Sequence, residues 1–220
     1  MAIGNAPVSE EIIAASIAQL AGYQVEGFLM GHGKWPASIM FVGEAPGANE
    51  IREGIPFIGQ AGKVLSSYLE GIGLSRDDLY ISSAVRSRPY KEKVLKRGAD
   101  APKISYSNRT PTKKEVLAHA PILDAEIAIV KPEIIVPLGN IALHRLIGSH
   151  ETVSSLHGRV IEGPIQQLVD WREPEKGYQF SEKSYKIFPM FHPAAVIYNR
   201  KLGDVIQEDL QKLKALLELQ

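Results

Sequence analysis

The sequence contains no cysteine among its 220 residues. This absence excludes disulfide bonds, thiolate metal sites and iron–sulfur clusters held by cysteine, but it is no positive evidence for any compartment. No apolar run approaches the roughly 20 residues that a membrane helix needs. The opening MAIGNAPVSEE lacks the basic and apolar regions of a secretory signal, so we expect a cytoplasmic protein without membrane association.

The formal net charge is zero, because 25 Lys and Arg balance 25 Asp and Glu. The distribution is uneven, however, since the stretch from Arg86 to Lys114 holds ten basic and two acidic residues. A basic segment in a neutral protein favours a polyanion partner, although a solvated loop without a partner has the same composition. The length and the 45% apolar content predict one domain over residues 1–220, with residues 86–111 as a basic inserted loop.

Four short apolar segments alternate with helical patterns along the chain, and each is followed by polar or glycine residues. They are residues 38–42, 79–85, 133–138 and 186–191. The alternation predicts an α/β fold, a three-layer α/β/α sandwich with a short, mainly parallel four-stranded sheet. Because ligands bind beyond the carboxyl ends of parallel strands, the loops after these segments are expected to converge.

Local signals refine two of these elements. Pro189 marks the fourth segment as an edge or irregular strand, because proline cannot donate to a strand ladder. Thr112 and Glu115 match a capping box at the start of a helix, and Pro121 predicts a bend or a restart within it.

The stretch Gly43–Gly62, GEAPGANEIREGIPFIGQAG, follows the first strand and leads into a helical pattern. This order brings backbone N–H groups and a helix N-terminus together, which favours an anion. Its carboxylates, Glu44 and Glu50, could orient a water molecule or act as a base, or else cap the loop backbone. Phe57 could stack on a base or pack in the core, and His192 could support an oxyanion or be structural.

In this order the motifs resemble those of the uracil-DNA glycosylase superfamily, and of its family 4 in particular. The matching segments are GEAPGANE and GIPFIGQAG in Gly43–Gly62, YISSAVRSRP at 80–89, NRTPT at 108–112, IVKPEIIVPLG at 129–139, LHGRV at 156–160 and MFHPAAV at 190–196. The resemblance implies an α/β/α sandwich that flips a deaminated base out of DNA and hydrolyses its N-glycosidic bond.

The resemblance also implies roles for individual residues. It implies that Phe57 stacks on the base, that His192 hydrogen-bonds a uracil carbonyl, and that Glu50, together with Glu44, positions water or stabilises the sugar cation. The other residues that it places at the base are Gly43, Ala45 and Ser83. The expected DNA contacts are Arg86, Arg88, Asn108 and Arg109, with Val196, Ile197 and Tyr198 as candidates for a minor-groove wedge.

The chain departs from the family-4 pattern in several places. Ser87 and His119 stand at two of the four positions where that family has cluster-binding cysteines, so we expect no cofactor and no metal. Ser83 replaces an asparagine that reads the uracil edge, and a hydroxyl cannot reproduce the paired donor and acceptor of an amide. The segment between Pro89 and Asn108 is longer than in typical members, and Ala194 replaces a serine.

Together these features predict a monofunctional DNA glycosylase, acting as a monomer on uracil or a related base in base excision repair. Apart from Lys131 in the segment at 129–139, no lysine lies in the matched motifs, so we do not expect Schiff-base chemistry. A non-catalytic nucleic-acid-binding member of the same fold is the alternative. A nucleotide hydrolase of another family is a third, disfavoured because no GxxxxGK[ST] pattern occurs. The preferred base and the choice between single-stranded and double-stranded DNA stay open.

Overall fold

The computed structural model describes residues 2–95, 103–148 and 150–218. The strands are Ala2–Gly4 (β1), Val25–Glu26 (β2), His32–Trp35 (β3), Ile39–Gly43 (β4), Tyr80–Ser83 (β5), Arg88–Leu95 (β6), Lys103–Asn108 (β7), Ile134–Pro137 (β8), Ile161–Leu168 (β9) and Tyr178–Ile187 (β10). The α-helices are Glu10–Ala18 (α1), Ala48–Glu53 (α2), Gln60–Gly71 (α3), Lys113–Val130 (α4), Asn140–Ile147 (α5), Val153–Leu156 (α6), Ala195–Tyr198 (α7) and Leu202–Glu218 (α8).

The larger sheet has seven strands in the order β1-β3-β5-β4-β8-β10-β9. Its four middle strands, β5, β4, β8 and β10, run parallel, which confirms a mixed α/β fold with a mostly parallel sheet. The prediction of four strands was wrong, because β1 and β3 extend one edge and β9 the other, all antiparallel. The strand before Pro189 is not an edge either, since β10 lies between β8 and β9 and ends at Ile187.

Helices cover both faces of this sheet, and strand β4 is therefore buried on both sides. Ile39 and Phe41 belong to a core that includes residues of α3 and α8. Met40 and Val42 belong to a second core that includes residues of α4 and α5. All four side chains are at most 3% exposed, as expected for a parallel strand between two helical layers. Because helices cover the faces of these strands, a ligand can reach them only at the strand ends.

Strands β2, β6 and β7 form a second, antiparallel sheet, and β6 and β7 lie where the sequence predicts a basic loop. β6 and β7 are a hairpin in which Tyr90 pairs with Asn108 and Val94 with Ile104. The prediction of a loop over 86–111 was therefore wrong for the strand residues, and residues 96–102 lie outside the described part.

The start of α4 agrees with the predicted capping box. The Thr112 hydroxyl accepts from the backbone N–H of Glu115, whose carboxylate accepts from the N–H of Thr112. Pro121 lies inside the helix, which nevertheless runs from Lys113 to Val130 as one element. Among the helices that the structure describes, none is long and apolar enough to cross a membrane.

Candidate active site

A cavity of about 430 Å³ lies beyond the carboxyl ends of β4 and β5, beside the segment that follows β10. This volume falls in the range of about 300–1,000 Å³ that is common for small-molecule sites. Eight of the predicted site residues line it: Ala45, Glu50, Phe57, Ser83, Asn108, His192, Ile197 and Tyr198. Six predicted residues are not among its lining residues: Gly43, Glu44, Arg86, Arg88, Arg109 and Val196. Residues at the ends of β4, β5 and β10 therefore converge at the cavity as expected, whereas the loop after β8 contributes none to its lining.

Phe57 forms one wall of the cavity in a conformation that its neighbours impose. Its φ of 54° lies in the left-handed region, which is rare for a non-glycine residue. A Cβ atom on Gly43 would lie 2.5 Å from the ring atom Cζ, and one on Gly62 would lie 1.8 Å from the Phe57 carbonyl oxygen. Both glycines are thus required by the close approach of Phe57. The Phe57 ring lies over Gly43, which is absent from the cavity lining, so the predicted base contact of Gly43 gains no support and stays a prediction.

Arg76 holds the backbone of the same loop and was not recognised from the sequence. Its Nη1 donates to the carbonyl oxygen of Phe57 at 2.7 Å, and its Nη2 donates to that of Pro56 at 2.5 Å. These charge-assisted bonds fix two consecutive peptide units and so the direction of the Phe57 ring. Carbonyl acceptors leave no trace in a sequence, which is why no pattern singled out Arg76.

Glu50 lies in the first turn of α2 and joins two parts of the loop. Its Oε1 accepts from the backbone N–H of Ile58 at 3.1 Å and of Gly59 at 2.7 Å. Within the described residues Oε2 accepts no hydrogen bond from the protein, so this oxygen is left for a ligand or water. Glu44 differs, because it lies outside the cavity lining and burial raises the pKa of its carboxyl group.

His192 lies opposite Phe57, with ring centroids 5.7 Å apart and planes tilted by 35°. Burial lowers the pKa of His192 to about 4, against an opposing effect of the Glu50 charge. The imidazole is therefore neutral at pH 7. The backbone N–H of Ala194 donates to Nδ1 at 3.2 Å, so the ring proton lies on Nε2. A neutral imidazole with a free Nε2–H is a hydrogen-bond donor for a carbonyl oxygen or an oxyanion.

Two polar residues complete the lining. The Ser83 hydroxyl donates to the carbonyl oxygen of Val85 at 2.9 Å, so its proton is already used. Asn108 at the end of β7 accepts at Oδ1 from Arg88 Nε at 2.6 Å. That bond leaves the Asn108 amide N–H groups available to the cavity. Asn108 was predicted to contact DNA, and its place in the lining agrees with this prediction.

The three arginines predicted to contact DNA are instead engaged within the protein. Arg86 is fully buried and donates to Glu126 at 2.7 Å. Arg88 is 7% exposed and contacts Glu26 at 2.5 Å. Arg109 binds Glu115 through both Nη atoms, at 2.8 and 2.6 Å. Full burial contradicts the predicted phosphate contact for Arg86. For Arg88 and Arg109 the ion pairs within the protein make such a contact less favourable, and their DNA contacts stay predictions.

Glu126, the partner of Arg86, is a buried acceptor for four groups. Oε1 accepts from the Gly31 N–H at 2.8 Å and from the Tyr80 hydroxyl at 3.2 Å. Oε2 accepts from the Ser82 hydroxyl and from Arg86, both at 2.7 Å. A buried carboxylate is stable only when it is bonded in this way. The network fixes β5 directly before Ser83.

The segment after His192 was predicted to hold a minor-groove wedge. Val196 is half-buried and packs against the core, which disfavours it as a wedge. Ile197 is 46% exposed and Tyr198 is 90% exposed, and both stand at the rim of the cavity. Because single exposed apolar residues are common on protein surfaces, the position of both residues at the rim, and not their exposure alone, keeps them as candidates for the wedge.

Ser87 and His119, at two of the positions where family 4 has cluster cysteines, contact each other. The Ser87 hydroxyl and His119 Nε2 are 3.2 Å apart, and Nδ1 donates to the Glu115 carbonyl oxygen at 2.7 Å. Phe28 stacks on the imidazole with centroids 5.9 Å apart, and burial lowers the pKa of His119 to about 4. A hydroxyl and a buried neutral imidazole do not fit an iron–sulfur cluster, which needs thiolates. Among the described residues no group of three or more His, Asp or Glu could hold a metal ion.

A cavity beyond the carboxyl ends of parallel strands, lined by a carboxylate, an aromatic side chain and a neutral histidine, is the usual place for a ligand in an α/β fold. The family model of the uracil DNA glycosylase superfamily matches residues 30–218, and the chain belongs to this superfamily.

Several curated relatives resemble the chain over most of its length. The type-4 uracil-DNA glycosylase of Sulfurisphaera tokodaii is 34% identical over 95% of this chain and 83% of its own. That of Saccharolobus solfataricus is 36% identical over 85% of this chain and 74% of its own. That of Thermotoga maritima is 32% identical over 86% and 83% respectively. Unlike the family-4 pattern, the present chain has no cysteine.

Proposed function

We propose that this protein is a monofunctional DNA glycosylase that hydrolyses the N-glycosidic bond of uracil or a related deaminated base in base excision repair. The observation that carries the proposal is the meeting of Glu50, Phe57 and neutral His192 in one cavity. The family membership and the names of the relatives support the same reaction class. The site is recessed, so the target base must leave the helix stack to enter it.

In the proposed reaction Phe57 stacks on the flipped base and His192 donates its Nε2–H to a base carbonyl oxygen. The bond between the sugar C1′ and the base nitrogen breaks, and its electron pair leaves with the base. The hydrogen bond from His192 and the helix N-termini of α2 and α3 at the cavity stabilise that negative charge. Glu50 stabilises the sugar cation and orients the water that attacks C1′. The water then loses one proton, which balances the charge of the departing base.

The cavity lining supports hydrolysis over a covalent route. No lysine is among the lining residues within the described part of the chain. A Schiff base with the sugar needs an amine at the reacting carbon. The expected product is therefore an intact strand with an abasic site, which breaks only on treatment with alkali.

One observation favours the alternative of a non-catalytic nucleic-acid-binding protein. The Ser83 hydroxyl is bound to the Val85 carbonyl oxygen and offers the base no donor. A base edge left without its partners costs affinity, so uracil would be held less selectively than by an asparagine. Asn108 has amide donors at the same cavity, which supports retained base recognition.

A substrate panel distinguishes the two functions. The wild-type protein is incubated with single-stranded and duplex oligonucleotides that contain one uracil, hypoxanthine or xanthine, and alkali-labile sites are counted. We expect product with at least one base, and its loss in Glu50→Ala. Glu53→Ala is the matched control, because Glu53 lies on the same short helix and its side chain is 51% exposed. Salt-dependent DNA binding without product from any base would reject the enzyme and support the binding protein.

The wedge is tested separately with Tyr198→Ala. We expect slower excision from duplex DNA and little change on single strands, because only a duplex base needs to be displaced from its stack. Equal losses on both substrates would show that Tyr198 acts on the base or the chemistry and not as a wedge.

A further inference from the structure

The hairpin of β6 and β7 has two chemically different faces. Directly paired residues of antiparallel strands point to the same side, so the pairing places Val94, Ile104 and Tyr106 on one face with Asn108. The opposite face has Lys91 and Lys93, paired with Ser107 and Ser105. We name the first of these surfaces the apolar hairpin face.

The apolar hairpin face is exposed to solvent. Val94 is 55% exposed, Ile104 54% and Tyr106 49%. Val94 and Ile104 pair directly, and Tyr106 is two residues from Ile104, so the three side chains form a continuous patch. The Tyr106 ring meets Tyr90 edge to face, with centroids 5.4 Å apart, which holds the ring in one orientation. A patch of this kind without a partner in the protein marks an interaction site.

The base of the hairpin is firmly held, so the face has a defined position. Arg88 contacts Glu26, and Arg109 binds Glu115 and the carbonyl oxygens of Tyr90 and Gln24. These bonds join the hairpin to β2 and to the start of α4. Because Asn108 also lines the cavity, the apolar hairpin face continues from the rim of the candidate active site.

We propose that the apolar hairpin face binds nucleobases of single-stranded DNA next to the nucleotide in the cavity. The identity of this partner rests on the proposed function. Exposed aromatic and aliphatic side chains accept any base by stacking, whereas the lysines of the opposite face attract the phosphates. Glu92, which pairs with Tyr106, is the acidic residue on the described part of this face and disfavours phosphates there. Bases of the strand that enters the cavity are the groups that reach a surface beginning at Asn108.

The test measures the binding of a fluorescein-labelled oligothymidine strand without uracil by fluorescence anisotropy, using the full chain. Tyr106→Ala is expected to weaken binding about tenfold, which corresponds to about 1.4 kcal/mol. Ile104→Ser should weaken it less, and Tyr106→Phe should retain affinity because its ring still stacks. Phe180→Ala is the matched control, an exposed aromatic residue on β10. Thermal unfolding of each variant identifies any loss that comes from misfolding.

Three outcomes would overturn the proposal: unchanged affinity in folded Tyr106→Ala, an equal loss in Phe180→Ala, or a change in oligomeric state with DNA binding unaffected. The last would identify the face as a contact between copies of this chain. The test does not depend on catalysis. A protein that excises no base but needs Tyr106 for binding supports this inference and rejects the proposed enzyme. If the protein excises a base but binds DNA equally well without the Tyr106 ring, the proposed enzyme is supported and this inference is rejected.

Discussion

The stretch Gly43–Gly62 and the basic segment Arg86–Lys114 both attract attention in the sequence, but they use their functional groups differently. In the first, Glu50 and Phe57 lie at the cavity, and glycines and Arg76 hold them there. In the second, the arginines are bound to carboxylates of the protein itself. Residue type predicted a binding role in both regions, and only burial and partners distinguish the residues that line the cavity from those that are paired within the protein.

The largest effect on stability is expected for Arg86, which tests whether the arginines of the basic segment are structural. Arg86→Met should lower the free energy of unfolding by about 3–5 kcal/mol, because it leaves the buried Glu126 carboxylate without its cation. Urea unfolding measures the change. The double variant Arg86→Met/Glu126→Leu should recover much of the loss. If Arg86→Met unfolds at the same urea concentration as the wild type but binds DNA more weakly, Arg86 is a phosphate contact and not a structural residue.

His192→Ala tests the cavity side of the comparison. We expect kcat to fall about 100- to 1,000-fold, the usual cost of removing one donor to a developing negative charge. Multiple-turnover excision on the best base of the panel measures it. His144→Ala is the control, since His144 does not line the cavity. A higher KM with an unchanged kcat would mean that His192 only binds the base.

The titration of His192 gives a related prediction. Its pKa is about 4 in the folded protein, whereas an unfolded histidine has a pKa of about 6.5. Between these values the unfolded chain binds the extra proton, so the free energy of unfolding falls as the pH drops from 6.5 towards 4. The fall should be smaller in His192→Gln. Ring nitrogen shifts should show the neutral Nε2–H form at pH 7, and a charged ring at that pH would contradict the mechanism.

Phe57→Ala should lower kcat/KM by a factor that corresponds to about 1–3 kcal/mol, the contribution of one stacked base. Steady-state excision assays give the value. Phe57→Leu separates two causes, because leucine still covers Gly43 but lacks an aromatic face. If Phe57→Leu is as active as the wild type, the residue fills space and does not stack.

Arg109→Gln should have the smallest effect on DNA binding. The salt dependence of affinity should keep its slope, whereas loss of a true phosphate contact would reduce the slope by about 1. Stability should fall by about 1–3 kcal/mol, because the buried Glu115 carboxylate loses two charge-assisted bonds. If the salt dependence of affinity has a smaller slope and the stability is unchanged, Arg109 contacts a DNA phosphate.

What the sequence predicted well depends on signals that are close together in the chain. Three of the parallel strands, β4, β5 and β8, stand out because each is an apolar run that ends in polar residues, and the Thr112 and Glu115 capping box spans one turn. The fourth was predicted at residues 186–191, whereas β10 runs from Tyr178 to Ile187 and is mostly polar, so its position was largely wrong. β1 and β3 were missed because they are short and contain glycine. The burial of Arg86 depends on Glu126, 40 residues away, and no spacing rule connects the two.

The buried Glu126 carboxylate also limits how the chain can evolve. It accepts from Gly31, Tyr80, Ser82 and Arg86 at once, so a single change at position 126 deprives four residues of an acceptor. A change of Arg86 alone leaves a negative charge in the interior. Lineages that lose this pair must therefore replace both residues together or pass through a neutral side chain, and aligned relatives should show positions 86 and 126 changing in concert.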